Sequence, residues 1–110
     1  MLPRDHRLRD SDSFRRAGRG RRAGSRTLVV HLSTPDAAGP ARVGFVVSKA
    51  VGNAVARNSV KRRLRHLARE QLDTLPGAAV LVVRALPAAA SAPSAELRSD
   101  LERCLQRVMA

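Results

Sequence analysis

A single-domain α+β sandwich is what this sequence predicts, with elements in the order α-β-β-(β)-α-β-α and a β-α-β crossover at its centre. Three observations carry that prediction. Two β-branched runs, residues 27–33 (TLVVHLS) and 42–49 (RVGFVVSK), stand before a long stretch of helical periodicity. A third run, residues 78–85 (AAVLVVRA), follows it and is apolar on both parities, the mark of a strand covered on both faces. A strand, a helix and then a buried strand make a crossover unit with a parallel pair.

Taken in order, residues 1–9 are basic, contain Pro3 and read as an irregular arm. Ser11 or Asp12 caps a helix of about two turns that Gly18 and Gly20 end. Phe14 is its one large apolar group, with Arg15 and Arg16 directly after it. The ring either anchors the helix on the core or offers a stacking platform flanked by cations. Residues 18–26 are either a mobile loop or an edge strand with glycines. In residues 27–33, Leu28, Val30 and Leu32 share one face, and Val29 and His31 the other. Residues 34–41 (TPDAAGPA) are turn chemistry. In residues 42–49, Val43, Phe45 and Val47 lie opposite Gly44, Val46 and Ser48, and the two runs together suggest an antiparallel hairpin.

The densest charge lies in residues 48–70, SKAVGNAVARNSVKRRLRHLARE, read as one amphipathic helix. Gly52 supplies the turn and Asn53 the N-cap. Asn58, Lys61, Arg62, Arg65 and Arg69 form a single stripe, while Ala56, Val60, Leu64, Leu67 and Gln71 point to the opposite side. The clean pattern ends near Gln71, and Pro76 and Gly77 mark the latest possible stop. Residues 86–93 form an Ala/Pro linker. The last segment starts with Ser94 as N-cap and sets Leu97, Leu101, Cys104, Leu105 and Val108 at core spacing.

The 110 residues suit one domain, 1–110, with a modest core of Val, Leu and Ala, since Phe14 and Phe45 are its only aromatic groups. A formal charge of +12 points to an extended polyanion, nucleic acid before membrane. That charge is unevenly placed. Residues 1–26 hold nine basic and three acidic side chains, residues 42–70 eight and one, and residues 71–110 four and four. Six of the eight basic groups in the central stretch are arginine, whose planar fork suits phosphate. The lone Cys104 excludes a disulfide framework and a cysteine metal set. No apolar signal region opens the chain and no run approaches the roughly 18 apolar residues of a membrane span, so a cytoplasmic protein is expected.

Residues 43–66, VGFVVSKAVGNAVARNSVKRRLRH, resemble the signature of the bacterial ribonuclease P protein component: a valine-glycine strand ending in Ser-Lys, then Gly-Asn-Ala-Val, Arg-Asn-Arg and a Lys-Arg pair. The opening LPRDHRLRDSDSFRR is similar to the family's own, so the resemblance covers nearly the whole chain. It implies an accessory subunit that binds a large catalytic RNA and, with it, removes the 5′ leader from precursor tRNA. The RNA and its bound Mg2+ carry the phosphodiester chemistry, no cofactor is intrinsic to the protein, and no protein partner or membrane is required. It further implies a left-handed crossover, against the usual hand.

Carried over residue by residue, the resemblance assigns Arg57, Asn58, Lys61, Arg62 and Arg65 to the catalytic RNA, with Arg69 extending the stripe. Phe14, Arg15, Arg16, His31 and Lys49 would face the leader in a cleft between the first helix and the sheet. Ser59 departs from the motif, and Arg63, one turn on, is the expected substitute for the missing arginine. Gly18 and His31 stand where the family has aromatic rings, so charge is expected to outweigh stacking. Catalytic and protein-held metal residues are expected to be none: the carboxylates are scattered, and His6, His31 and His66 show no ligand spacing. The other reading is an RNA-binding module of ribosomal type, which would share the basic helix but need no single-strand groove.

Overall fold

The computed structural model describes residues 20–35 and 38–110. The expected arm, the first helix with Phe14, Arg15 and Arg16, Gly18, and the carboxylates of Asp10 and Asp12 lie outside the described residues. Four strands, β1 (Arg21–Gly24), β2 (Leu28–Ser33), β3 (Arg42–Val46) and β4 (Val80–Ala85), form one sheet in the order β1-β2-β4-β3. Two helices, α1 (Ala54–Gln71) and α2 (Ser94–Met109), complete the described fold.

β4 takes the middle of the sheet because it is apolar on both parities and so tolerates neighbours on each side. It pairs antiparallel with β2, Val30 opposite Val83, and parallel with β3, Phe45 opposite Val83. The parallel β3-β4 pair therefore requires a crossover, and α1 is that crossover. The expected hairpin between residues 27–33 and 42–49 does not form. The intervening turn is too long for a tight hairpin, and β4 competes for the edge of β2 that β3 would have used.

Of the two readings left open for residues 18–26, the edge strand is the one that forms in the described part, over Arg21–Gly24. β1 pairs antiparallel with β2, Arg22 opposite His31. Gly20 stands where the chain enters that pairing, and a Cβ there would fall 2.0 Å from the Leu32 carbonyl oxygen, so only glycine fits.

The expected face of β2 holds. Leu28, Val30 and Leu32 join Val43, Leu81 and Val83 of the sheet, Val60, Leu64, Leu67 and Ala68 of α1, and Leu97, Leu101, Cys104, Leu105 and Val108 of α2 in one core. Cys104 is part of that core, and burial pushes its thiol up from the ordinary value. α2 begins one residue earlier than its expected cap: Pro93 occupies the N-cap position with extended geometry, and its carbonyl accepts from the backbone N–H of Glu96 at 3.0 Å and Leu97 at 3.2 Å. Ser94 is already helical there.

A polar anchor sits within this core. The Thr27 hydroxyl donates to Asp100 Oδ2 at 2.6 Å, and Arg103 donates to Oδ1. Both Thr27 and Asp100 are buried. Burial pushes the Asp100 carboxyl up, but hydrogen bonds from Thr27, Arg103 and Ser25 outweigh it and hold the group below its ordinary value. Exposed Arg26 adds a two-pronged bond to Glu96, 2.7 Å on each prong, between the β1-β2 turn and the first turn of α2. Arg107 donates to the Gly24 carbonyl at 3.2 Å, and Arg21 to the Arg107 carbonyl at 3.2 Å, so the edge strand is fastened to α2 by guanidinium groups.

Replacing Thr27 by Val leaves a buried carboxylate short of a donor and is expected to cost about 1–3 kcal/mol in urea unfolding. Because the folded Asp100 carboxyl is depressed, its stabilisation is present above the ordinary value of 3.8 and lost as pH falls through the folded value. Stability measured from pH 5 down to pH 2 should fall more steeply in the wild type than in Asp100→Asn. Ala78 adopts φ 60, a left-handed conformation, while its N–H donates to the Gly39 carbonyl at 2.8 Å. Ala78→Gly is expected to leave thermal stability unchanged or raise it by up to about 1 kcal/mol, since relief of left-handed strain offsets the looser unfolded chain.

Candidate nucleic-acid interface

The chain leaves β3 through a single 3-10 turn, Lys49–Val51, and Gly52 at φ 153 breaks it before α1 starts. The stretch read as one helix is thus a turn, a break and a helix. Asn53 caps α1 as expected, its side chain accepting from the Ala56 N–H at 2.9 Å. Lys49, expected in the leader cleft, is exposed on the turn.

α1 has three sides. Val60, Leu64, Leu67 and Ala68 are buried in the core. Asn58, Arg62 and Arg69 are exposed and Lys61 and Arg65 half-buried on the second side, which keeps the expected stripe together. None of Arg57, Lys61, Arg62, Arg65 and Arg69 has an ion-pair partner among the described residues. Arg57 lies at the margin of core and stripe, half-buried, and its Nε is buried without a hydrogen-bond partner. The single carboxylate of the helix does not relieve this charge, because Glu70 turns to Arg98 of α2 at 3.0 Å and to His66 at 3.8 Å.

The third side faces the connection to α2 and overturns one expectation. Arg63 does not replace the motif arginine missing at Ser59. It is half-buried, and its guanidinium donates to the Ala92 carbonyl at 2.7 Å and the Ala89 carbonyl at 2.9 Å. Those bonds pin the expected Ala/Pro linker, which is a 3-10 turn, Pro87–Ala90, with Ala89 and Ala92 buried. On the helical wheel Arg63 lies about 100° from Arg62, so it faces α2 rather than solvent.

A second set of polar groups lies on the sheet face turned away from both helices. His31 is half-buried there, and its Nδ1 is buried without a partner. Burial pushes its imidazole below the ordinary value, and the nearby Arg22 and Arg84 add to the shift. The register places Arg22 directly beside His31, and Arg84 beside Val29 on the same face. Val82, Val46 and Val80 form a small apolar cluster there, and exposed Arg42 pairs with Val80.

Sequence reasoning missed Arg22 and Arg84. The parity of Arg84 with Val80 and Val82 would have placed it on the His31 face once β4 was known to pair with β2. Arg22 carried no such signal, because its segment was not yet a strand. His31 is brought beside arginines, and Lys49 is exposed on the turn that follows β3.

A family model described as ribonuclease P matches residues 2–109. The chain belongs to the ribonuclease P protein family. A ribonuclease P protein component from Nocardioides sp. is 70% identical, covering 98% of this chain and 95% of that protein. The component from Streptomyces avermitilis is 53% identical over 99% of this chain and 96% of its own. Among solved structures, the Staphylococcus aureus RNase P protein aligns with a TM-score of 0.79 at 27% identity, covering 92% of this chain and 93% of that one. The Thermotoga maritima RNase P protein shares the fold, with a TM-score of 0.77 at 24% identity over 93% and 96% of the two chains. Among the described residues of this family member, no helix is long and apolar enough to cross a membrane.

Arg63→Ala is expected to cost about 2–3 kcal/mol of unfolding stability, since two charge-assisted bonds to buried carbonyls are lost. Arg62→Ala, one position away, should change stability by less than about 0.5 kcal/mol. Equilibrium urea unfolding of the two variants distinguishes a structural arginine from a free one.

Proposed function

We propose that this chain is the protein subunit of a bacterial ribonuclease P, acting in the cytoplasm with a catalytic RNA to remove the 5′ leader of precursor tRNA. The observation that carries this reading is the unpaired cationic side of α1 in a member of the ribonuclease P protein family. Five basic side chains on one helix, with that helix's single carboxylate engaged elsewhere, repel one another until a polyanion neutralises them. Arg57, Asn58, Lys61, Arg62, Arg65 and Arg69 would contact the catalytic RNA. The cleft bearing Phe14, Arg15, Arg16, His31 and Lys49 would take the leader.

The protein's part in this reaction is positioning. Arginine forks fix phosphates in two directions at once, which orients an RNA backbone better than a point charge does. Holding the leader on the sheet and the catalytic RNA on the helix packed against it lowers the entropy cost of bringing the scissile bond to the RNA's reactive centre. Mg2+ and the attacking water would be held by the catalytic RNA.

Cleavage of a precursor tRNA by the cognate catalytic RNA, at low millimolar magnesium, tests the proposal. Rapid cleavage is expected only when RNA and protein are combined, with the protein alone inactive. The Arg62→Ala, Arg65→Ala double variant should weaken catalytic-RNA binding and lower the salt slope of log K by about 2. Equal cleavage with and without the protein would sink the proposal.

A further inference from the structure

The sheet face turned away from α1 and α2 carries charge that no described residue pairs with. Arg22 on β1 and Arg84 on β4 are exposed, and neither has an ion pair or a hydrogen bond from its side chain among the described residues. The four strands contain no carboxylate that could approach them. Arg84 interrupts the run Val80, Leu81, Val82, Val83, where an aliphatic side chain would be the default for a central strand. A guanidinium held at such a position without a partner adds nothing to stability, and two of them on rigid neighbouring strands repel.

The register fixes their separation. Arg22 and Arg84 lie two strands apart across β2 and one two-residue step apart along it, which places their Cα atoms about 12 Å apart. His31 lies between them, offering a flat ring and a buried Nδ1 without a partner. The three groups therefore set one cation directly beside the aromatic ring and the second on its far side, one diagonal step away, on a single sheet face.

We infer that Arg22 and Arg84 are a phosphate-binding pair that holds the backbone of the single-stranded 5′ leader across His31. This rests on the leader-binding role proposed above and deepens it by naming the chemical handle. The pair reads the phosphodiester chain rather than the bases, which supplies by charge what a ring of aromatic side chains would supply by stacking. Leader binding is then indifferent to base sequence and sensitive to salt.

The experiment uses the reconstituted RNA-protein complex and measures Kd for leader-bearing and mature tRNA from 50 to 400 mM monovalent salt. Arg22→Gln and Arg84→Gln are each expected to reduce the preference for leader-bearing tRNA about fivefold, and the double variant about 25-fold. Each should lower the salt slope for the leader-bearing substrate by about 0.7, the value for one single-strand phosphate. Exchanging the leader sequence should leave these losses unchanged, and Arg→Lys at both positions should restore the larger part. Arg98→Gln, which removes the same charge from α2, should leave the preference intact, and thermal unfolding confirms that the variants fold. A wild-type complex without leader preference overturns the leader-binding reading itself. A wild-type preference that survives the double substitution, or that is lost equally for mature tRNA, overturns the assignment of the pair alone.

Discussion

Everything in this fold depends on the place of β4 at the centre of the sheet. As a central strand it is paired along both edges, and its two neighbours run in opposite senses relative to it. The antiparallel neighbour, β2, can come from anywhere earlier in the chain. The parallel neighbour, β3, can be reached only by a crossover, and α1 is the segment long enough to make it. The position of the cationic helix is therefore set by backbone pairing, before any electrostatic argument applies. Its apolar side must meet the sheet, so its charged side must face away.

The basic residues divide into two groups with different physics. Arg21, Arg26, Arg63, Arg98, Arg103 and Arg107 spend their donors on carbonyls and carboxylates of the protein itself. They tie β1 to α2 and α1 to the turn before α2, tasks that a chain poor in aromatic residues cannot leave to large apolar contacts alone. The second group, on α1 and on the outer sheet face, finds no such partners among the described residues. A guanidinium bonded twice to backbone carbonyls is satisfied, whereas one exposed beside like charges lowers its energy only when an anion arrives. Arg62 and Arg63 stand next to each other in sequence and fall on opposite sides of this division.

The same division separates the two surfaces of the sheet. The inner surface is aliphatic and closes against both helices, with Thr27 and Asp100 as a buried polar pair at its edge. The outer surface mixes valines with His31, Arg22, Arg42 and Arg84. Burial and the neighbouring Arg22 and Arg84 push its imidazole below the ordinary value, which disfavours a charge there beside the arginines.

Much of this was legible in the sequence alone. The α+β class, the parallel crossover, the Asn53 cap, the end of α1 at Gln71 and the core stripe of the last helix follow from local periodicity and capping chemistry, which depend on residues near one another. The side chains of the α1 stripe were legible for the same reason. What only the tertiary structure decided involves partners distant in sequence. The pairing of β2 with β4 rather than β3, the recruitment of residues 21–24 as an edge strand, the burial of Asp100 against Thr27, the diversion of Arg63 to Ala89 and Ala92, and the meeting of Arg22, His31 and Arg84 all depend on which strand edges and carbonyls lie opposite. A hydrogen bond across 73 residues leaves no period in the chain. Local pattern determined which faces exist, and long-range pairing determined what each face meets.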